Sequence, residues 1–187
     1  TIEAWLFATR LRHAITRATR EASDCPPETP SCRASRTQFQ LLNAGEDTWI
    51  LGTEGGVTTR PLPGLSLRAT YAIAWGEGPN TGSRAVLGRQ PFGARVPLSR
   101  IPPINGTVEV RYEHSASSVY ASAALRWALA QRRLAPSDLA DARIPSGGTP
   151  GYTVFDLRAG YRYARHLRLS CVLENLLDAA YRVHGSS

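Results

Sequence analysis

"VEVRYEHSASSVYASAALRWALA", Val108 to Ala130, decides the fold. Before the polar turn, Val108, Val110 and Tyr112 alternate with Glu109, Arg111 and Glu113. After it, Val119, Ala121, Ala123, Leu125, Trp127 and Leu129 alternate with Ser118, Tyr120, Ser122 and Arg126. A period of two places apolar residues on one face of a strand and polar ones on the other, which a helix cannot do. Two such runs joined by "HSASS" form an antiparallel hairpin.

The pattern extends in both directions. Leu65, Leu67, Ala69, Tyr71, Ile73 and Trp75 oppose Ser66, Arg68 and Thr70. Phe155, Leu157, Ala159, Tyr161 and Tyr163 oppose Asp156, Arg158 and Arg162. Leu167, Leu169, Cys171 and Leu173 oppose Arg168, Ser170, Val172 and Glu174. Two earlier segments, near Ile2 to Ile15 and Phe39 to Arg60, read as strands with looser alternation, and Glu3 to Ile15 also fits a helical period. The chain therefore offers about seven strands, each of the ~10 residues that cross a bilayer when tilted.

Connections alternate as well. "PLPG", "HSASS" and "ARH" are tight turns, whereas the connections near Thr16 to Thr37, Gly76 to Pro103 and Ala130 to Gly151 are long and rich in Pro, Gly, Ser and Arg. A sandwich has no reason to collect its long loops at one end; an outer-membrane barrel does so by construction. Trp75, Trp127, Tyr112, Tyr161 and Tyr163 lie near strand ends on the apolar face, where interfacial girdles belong. The expected fold is all-β: an antiparallel up-and-down meander forming part of a transmembrane barrel. A soluble sandwich shares the alternation, and a porin-like barrel shares the face pattern.

All 22 basic residues are arginine and the net charge is +7. The arginines are scattered and no strand bunches aromatics beside basic neighbours, so a nucleic-acid partner is not expected. Arg84, Arg89, Arg95, Arg132, Arg133 and Arg143 fall in the long loops, where they are candidates for an anionic ligand or lipopolysaccharide phosphates, with solvated loop charges as the plainer reading. Cys25 and Cys32 enclose "PPETPS"; a disulfide closing that loop is expected, with two free thiols the alternative. No zinc-binding, phosphate-loop or nucleophile-elbow motif occurs, and the dispersed histidines have no ligand spacing. Neither an enzyme, a metal centre nor a cofactor is expected.

Three longer stretches carry a resemblance. Leu157 to Ser186 contains "LENLLDAAY", with Glu174, Asn175, Asp178 and Tyr181. Arg100 to His114 reads "RIPPINGTVEVRYEH", with Pro102 and Tyr112. Asn43 to Ala72 reads "NAGEDTWILGTEGGVTTRPLPGLSLRATYA", with Asn43, Gly52 and Glu54. Together, in this order, they resemble the C-terminal barrel region of TonB-dependent outer-membrane receptors. The resemblance implies a barrel of roughly 22 strands around a plug, in the bacterial outer membrane, importing a scarce large ligand such as a ferric siderophore, haem or cobalamin. Its implied partners are outer-membrane lipid and lipopolysaccharide, the TonB complex acting through the plug, and the transported ligand. The sequence lacks a plug, a signal peptide, a TonB box and the family's final aromatic-ended strand. Residues 1–187 therefore read as a C-terminal portion of such a barrel, incomplete at both ends.

Overall fold

The computed structural model describes residues 1–20, 35–80, 94–114, 118–139, 141–163 and 166–186. Ten strands occur among them: β1 (Ile2–Leu11), β2 (Ile15–Arg20), β3 (Ser35–Asn43), β4 (Thr48–Leu62), β5 (Leu65–Pro79), β6 (Arg95–Pro97), β7 (Asn105–His114), β8 (Val119–Ala128), β9 (Tyr152–Tyr163) and β10 (Leu167–Leu173). One short helix, α1 (Pro136–Leu139), lies between β8 and β9.

Seven strands form one antiparallel meander in the order β1-β4-β5-β7-β8-β9-β10, with β6 paired to β5 and β2-β3 as a separate ribbon. The ribbon continues the β1–β4 hairpin, because Leu11↔Thr48 is followed by Ile15↔Asn43. Three residues on one side and four on the other separate these pairs, and His13 takes a left-handed φ of 50° there. An unequal insertion of this kind is a bulge, which bends a long strand without ending it.

The expected meander of about seven strands is present, and Glu3 to Ile15 is extended, not helical. Two of the three long connections are shorter than the sequence suggested, and the third, between β8 and β9, has the expected length. Strand pairing continues to Arg20 and resumes at Ser35, β5 runs on to Pro79, and β6 interrupts the next connection. The turn at "PLPG" behaves as expected: Gly64 joins β4 to β5 at φ 77°, with the carbonyl of Glu113 lying where a Cβ would stand. Only glycine accepts both conditions without strain.

The register assigns the faces. Leu67↔Val110, Val110↔Ala123, Ala123↔Leu157 and Leu157↔Leu173 run as one apolar row across five strands. On the opposite face, Arg68↔Glu109, Glu109↔Ala124 and Ala124↔Asp156 form a charged row. No second sheet packs on the apolar face among the described residues. Among the described residues the buried apolar side chains are Ala44, Val96, Ala128, Ala135, Ile144 and Val154, none of them in that apolar row, while Leu157, Phe155, Val110 and Trp75 remain accessible. A soluble sandwich would bury this face as its core; here it is left to the solvent around the sheet, as on a barrel wall facing lipid. Cys171 sits in a shallow part of this outer face with Ala121, Ala123 and Ala159.

Aromatic rings cover several cross-strand glycines. The Tyr120 ring lies over Gly160 and the Phe7 ring over Gly52, both on the inner face, while Trp127 covers Gly106 on the outer. A ring over a glycine hides backbone that a small side chain leaves open and fixes register.

Candidate functional site

The long loops gather at one end of the sheet, and their described parts form a hydrogen-bonded cap. It begins where β6 leaves β5. The pairs Glu77↔Pro97, Gly78↔Val96 and Pro79↔Arg95 hold three residues, after which the chain arches away until Ala72↔Asn105. Pro102 and Pro103 lie in that arch and have no N–H to give a ladder, so pairing cannot run through them. Arg100 turns the chain with φ 60°. The arch packs on Gly76, whose missing Cβ would lie 2.8 Å from Ile101 Cδ1 and 2.9 Å from Leu98 Cδ1.

The β8–β9 loop locks onto this arch. Gln131 donates through Nε2 to the Ile101 carbonyl (2.8 Å), accepts at Oε1 from Arg133 N (3.0 Å) and exchanges backbone bonds with Thr149. Asp138 is the hub, 2 % exposed. Its carboxylate accepts from Ala135 N at 3.1 Å, from Arg100 N at 3.4 Å and from the Ser99 hydroxyl. These donors satisfy a buried carboxylate that would otherwise be costly. Neither Gln131 nor Asp138 stood out in the sequence. The one legible signal was "APSD": proline at the first helical position and a carboxylate two residues later, set to accept from an N-terminal N–H.

Four of the six candidate arginines fall among the described residues; Arg84 and Arg89 lie outside them, as do Cys25 and Cys32. Arg133 stands 3.3 Å over the Trp75 ring while donating to the Gly76 carbonyl at 3.1 Å and to the Glu77 carboxylate. Arg95 donates to the Asp47 carbonyl at 3.1 Å and the Glu77 carbonyl at 3.4 Å, tying β6 to the β3–β4 turn. Arg143 pairs with Asp141 at 2.6 Å. The hydrogen bond from the Arg143 guanidinium, aided by that from its backbone N–H, holds the Asp141 carboxyl below the usual carboxylate range. Arg132 is exposed, and its guanidinium makes no ion pair among the described residues. The loop arginines thus first hold the cap together, and Arg132 is the one left facing outward.

Arg133 is expected to contribute to closure of this cap. Arg133→Ala removes a cation–π contact and two charge-assisted bonds, at an expected cost of about 1–2 kcal/mol to local closure. Protease cleavage of the β8–β9 loop should rise by roughly 5–30-fold, and Arg133→Lys should restore it only in part because an ammonium lacks the planar fork. Unchanged cleavage in Arg133→Ala would show that the contact carries no closure energy.

The terminal motif closes the cap from the other side. After β10, Asn175 and Asp178 turn the chain with φ of 52° and 49°. Asn175 bridges Ala179 with both side-chain atoms, donating from Nδ2 at 3.1 Å and accepting at Oδ1 at 2.9 Å. Its own N–H donates to Asp156 Oδ1 at 3.0 Å. Asp156 is 2 % exposed and accepts from Arg126 Nε at 2.8 Å. Tyr181 stacks on Tyr152 with centroids 4.7 Å apart, and His184 Nδ1 lies 2.8 Å from the Thr149 hydroxyl. The other motif residues are spread along the sheet. Asn43 ends β3 opposite Ile15, Gly52 lies under Phe7, Glu54 faces inward, Pro102 sits in the arch, Tyr112 lies on the outer face near the tight turns, and Glu174 is exposed just past β10. They do not converge on a common point among the described residues. Among the described residues no three His, Cys, Asp or Glu side chains gather as metal ligands.

No curated protein matches this sequence. Among solved structures, that of the protein titled "Copper transporter OprC" is similar, with a TM-score of 0.67 at 22% identity over 98% of this chain. The match covers 24% of that chain, so these residues span about a quarter of its length. At that identity the likeness establishes a shared fold. The family described as "TonB dependent receptor-like, beta-barrel" matches residues 2–176. With an apolar outer face, a charged inner face and capped loops at one end, and with that match spanning nearly all of its length, the chain belongs to the TonB-dependent receptor β-barrel family of the bacterial outer membrane.

Proposed function

We propose that these residues form the C-terminal part of the barrel wall, with its extracellular loops, of a receptor that actively imports a scarce large ligand. The ligand class is a ferric siderophore, haem or cobalamin. The energy comes from the TonB complex acting through a plug held inside the barrel. The observation that carries this reading is the two-faced open meander: an accessible apolar outer face, a charged inner face, and a cap built from the long loops at one end. Those features suit a wall that borders lipid on one side and a polar lumen on the other.

In this reading the cap meets the ligand first. Arg132 is the described loop arginine free to meet an anionic chelate, and Arg84 and Arg89 are proposed to join it. Arg95, Arg133 and Arg143 act one step back, by holding the loop shapes that present it. Lipid and lipopolysaccharide surround the outer face.

The experiment is uptake by cells carrying the full-length receptor as their only importer of its class. Radiolabelled ferric siderophores, haem and cobalamin are supplied in turn, with and without TonB. Accumulation of one of them that stops when TonB is deleted is the expected result. Accumulation that persists without TonB would make the protein a passive porin, and failure of all three would remove the ligand class.

A further inference from the structure

Two features adjoin at the tight-turn end of β8, β9 and β10. The first is a pair of like charges. Arg162 and Arg168 are direct cross-strand partners, and both are exposed. Like charges placed opposite one another repel and weaken a sheet. Neither makes an ion pair among the described residues. They line a recess of about 600 Å³ in which the lining carboxylate, Glu113, is engaged by Arg111 at 2.7 Å. The recess opens at the rim of the sheet, because Tyr120 of the inner face lines it together with Val119 and Tyr161 of the outer face.

The second feature is a groove in the apolar outer face. Ala121, Ala159 and Cys171 make one cross-strand row of small side chains. Larger ones flank it: Tyr161 and Leu169 in the row toward the tight turns, Leu157 and Leu173 in the row toward the cap. The space between them is about 420 Å³, with Tyr112 at its β7 end.

Geometry joins the two. Arg162 and Arg168 stand three residues from Ala159 and Cys171, about 10 Å along a strand. A strand tilt of ~40° turns this into a depth of about 8 Å, close to the ~5–8 Å thickness of one polar layer of a bilayer. An arginine near a strand end lays its stem along the wall and leaves its charge at the level of the headgroups. A molecule that suits both features has an anion at one end and a hydrocarbon tail at the other. A free oxyanion leaves the groove empty, and a neutral hydrocarbon leaves the guanidiniums unpaired. A zwitterionic lipid brings an ammonium to a place already in excess of cations. An anionic phospholipid meets every condition, because its phosphodiester oxygens accept from the planar guanidinium forks.

We propose that an anionic glycerophospholipid of the periplasmic leaflet is held at this rim, its phosphodiester by Arg162 and Arg168 and one acyl chain in the groove over Ala121, Ala159 and Cys171. This rests on the reading of the sheet as a barrel wall, whose tight turns are periplasmic. The lipid neutralises the Arg162–Arg168 repulsion and fixes the depth of the wall in the bilayer.

The test uses the full-length receptor in a mild detergent, with native mass spectrometry reading retained lipid. Phosphatidylglycerol and phosphatidylethanolamine with the same acyl chains are titrated separately. The wild type is expected to keep phosphatidylglycerol under conditions that strip phosphatidylethanolamine. Arg162→Gln/Arg168→Gln should weaken that retention by about 10–30-fold, on the scale of two basic contacts with an anionic lipid surface. Arg132→Gln, in the cap, should leave it unchanged. Ala159→Phe fills the groove with an apolar ring and should weaken retention severalfold with both arginines in place. Equal retention in the wild type and Arg162→Gln/Arg168→Gln, in a receptor that still migrates as a heat-modifiable barrel, would overturn the lipid proposal alone. So would displacement by inorganic phosphate with no effect of Ala159→Phe, which would assign a small oxyanion. A dimer that Ala159→Phe dissociates, in place of a lipid adduct, would give the groove to a second copy. Wild-type protein that neither fractionates with the outer membrane nor shows heat modifiability would overturn the barrel reading beneath it.

Discussion

Replacing Asp156 with alanine is expected to destabilise the full-length receptor by about 2–3 kcal/mol. The carboxylate is 2 % exposed and accepts from Arg126 Nε, Arg126 Nη2 and Asn175 N at 2.8, 3.3 and 3.0 Å. Alanine leaves the Asn175 N–H without its acceptor and Arg126 without its counter-charge. The estimate falls below the ~3–5 kcal/mol typical of a broken buried pair because the Arg126 side chain keeps 40% of its surface accessible, so water screens part of the loss. Arg126→Ala is expected to cost at least as much, since it strands the buried partner instead of the exposed one. The double variant should cost less than the two together, by about 1–2 kcal/mol, because each single change already breaks the shared contact. Urea unfolding of the detergent-solubilised receptor reads all three. A loss under about 0.5 kcal/mol in Asp156→Ala, the range of ordinary surface substitutions, would show that the Arg126–Asp156–Asn175 link does not hold the terminal turn to the sheet.

The second large effect separates the two faces. Leu157→Arg places a charge at the middle of β9 on the apolar face, between Ala123 and Leu173 in register. In a bilayer this should cost roughly 2–4 kcal/mol at the midplane, and Tyr163→Arg, near the tight-turn end of the same face, about 0–1 kcal/mol. Ala124→Arg is the inner-face control. It stands in register between Glu109 and Asp156, so the new guanidinium meets carboxylates and water and should change stability by less than about 1 kcal/mol. Folding the full-length receptor variants into lipid vesicles and measuring unfolding free energies gives the comparison. Equal costs at Leu157 and Tyr163 would remove the depth dependence that lipid imposes, and with it the assignment of the outer face.

Much of this molecule was legible in one dimension. Strand identity, the two faces and the alternation of tight and long connections follow from side-chain period and from turn residues, both local properties of a chain. Val108 to Ala130 contains all three, and the described residues keep its alternation on opposite faces of β7 and β8. Local pattern misjudged strand ends, because β5 continues through Gly76, Gly78 and Pro79 without an apolar alternation, held there by pairing with β4 and β6.

The cap and the charge partners belong to the tertiary structure. Asp156 and Arg126 were both visible as polar-face residues, yet only the register of β8 against β9 makes them a pair, thirty positions apart in the chain. Arg133 read as a loop charge until the fold brought Trp75 beneath it. Gln131 and Asp138 gave almost no advance signal because, the Ser99 hydroxyl apart, their partners are backbone groups of the arch and of their own loop, and a backbone group has no residue type to betray it. Arg162 and Arg168 looked like two scattered arginines of a basic chain; the register of β9 against β10 sets them face to face. Sequence by itself determined which residues lie on which side of a strand, since that needs only the geometry of one extended chain. Which of them meet was decided by strand register and loop folding, which depend on contacts between residues far apart in the sequence.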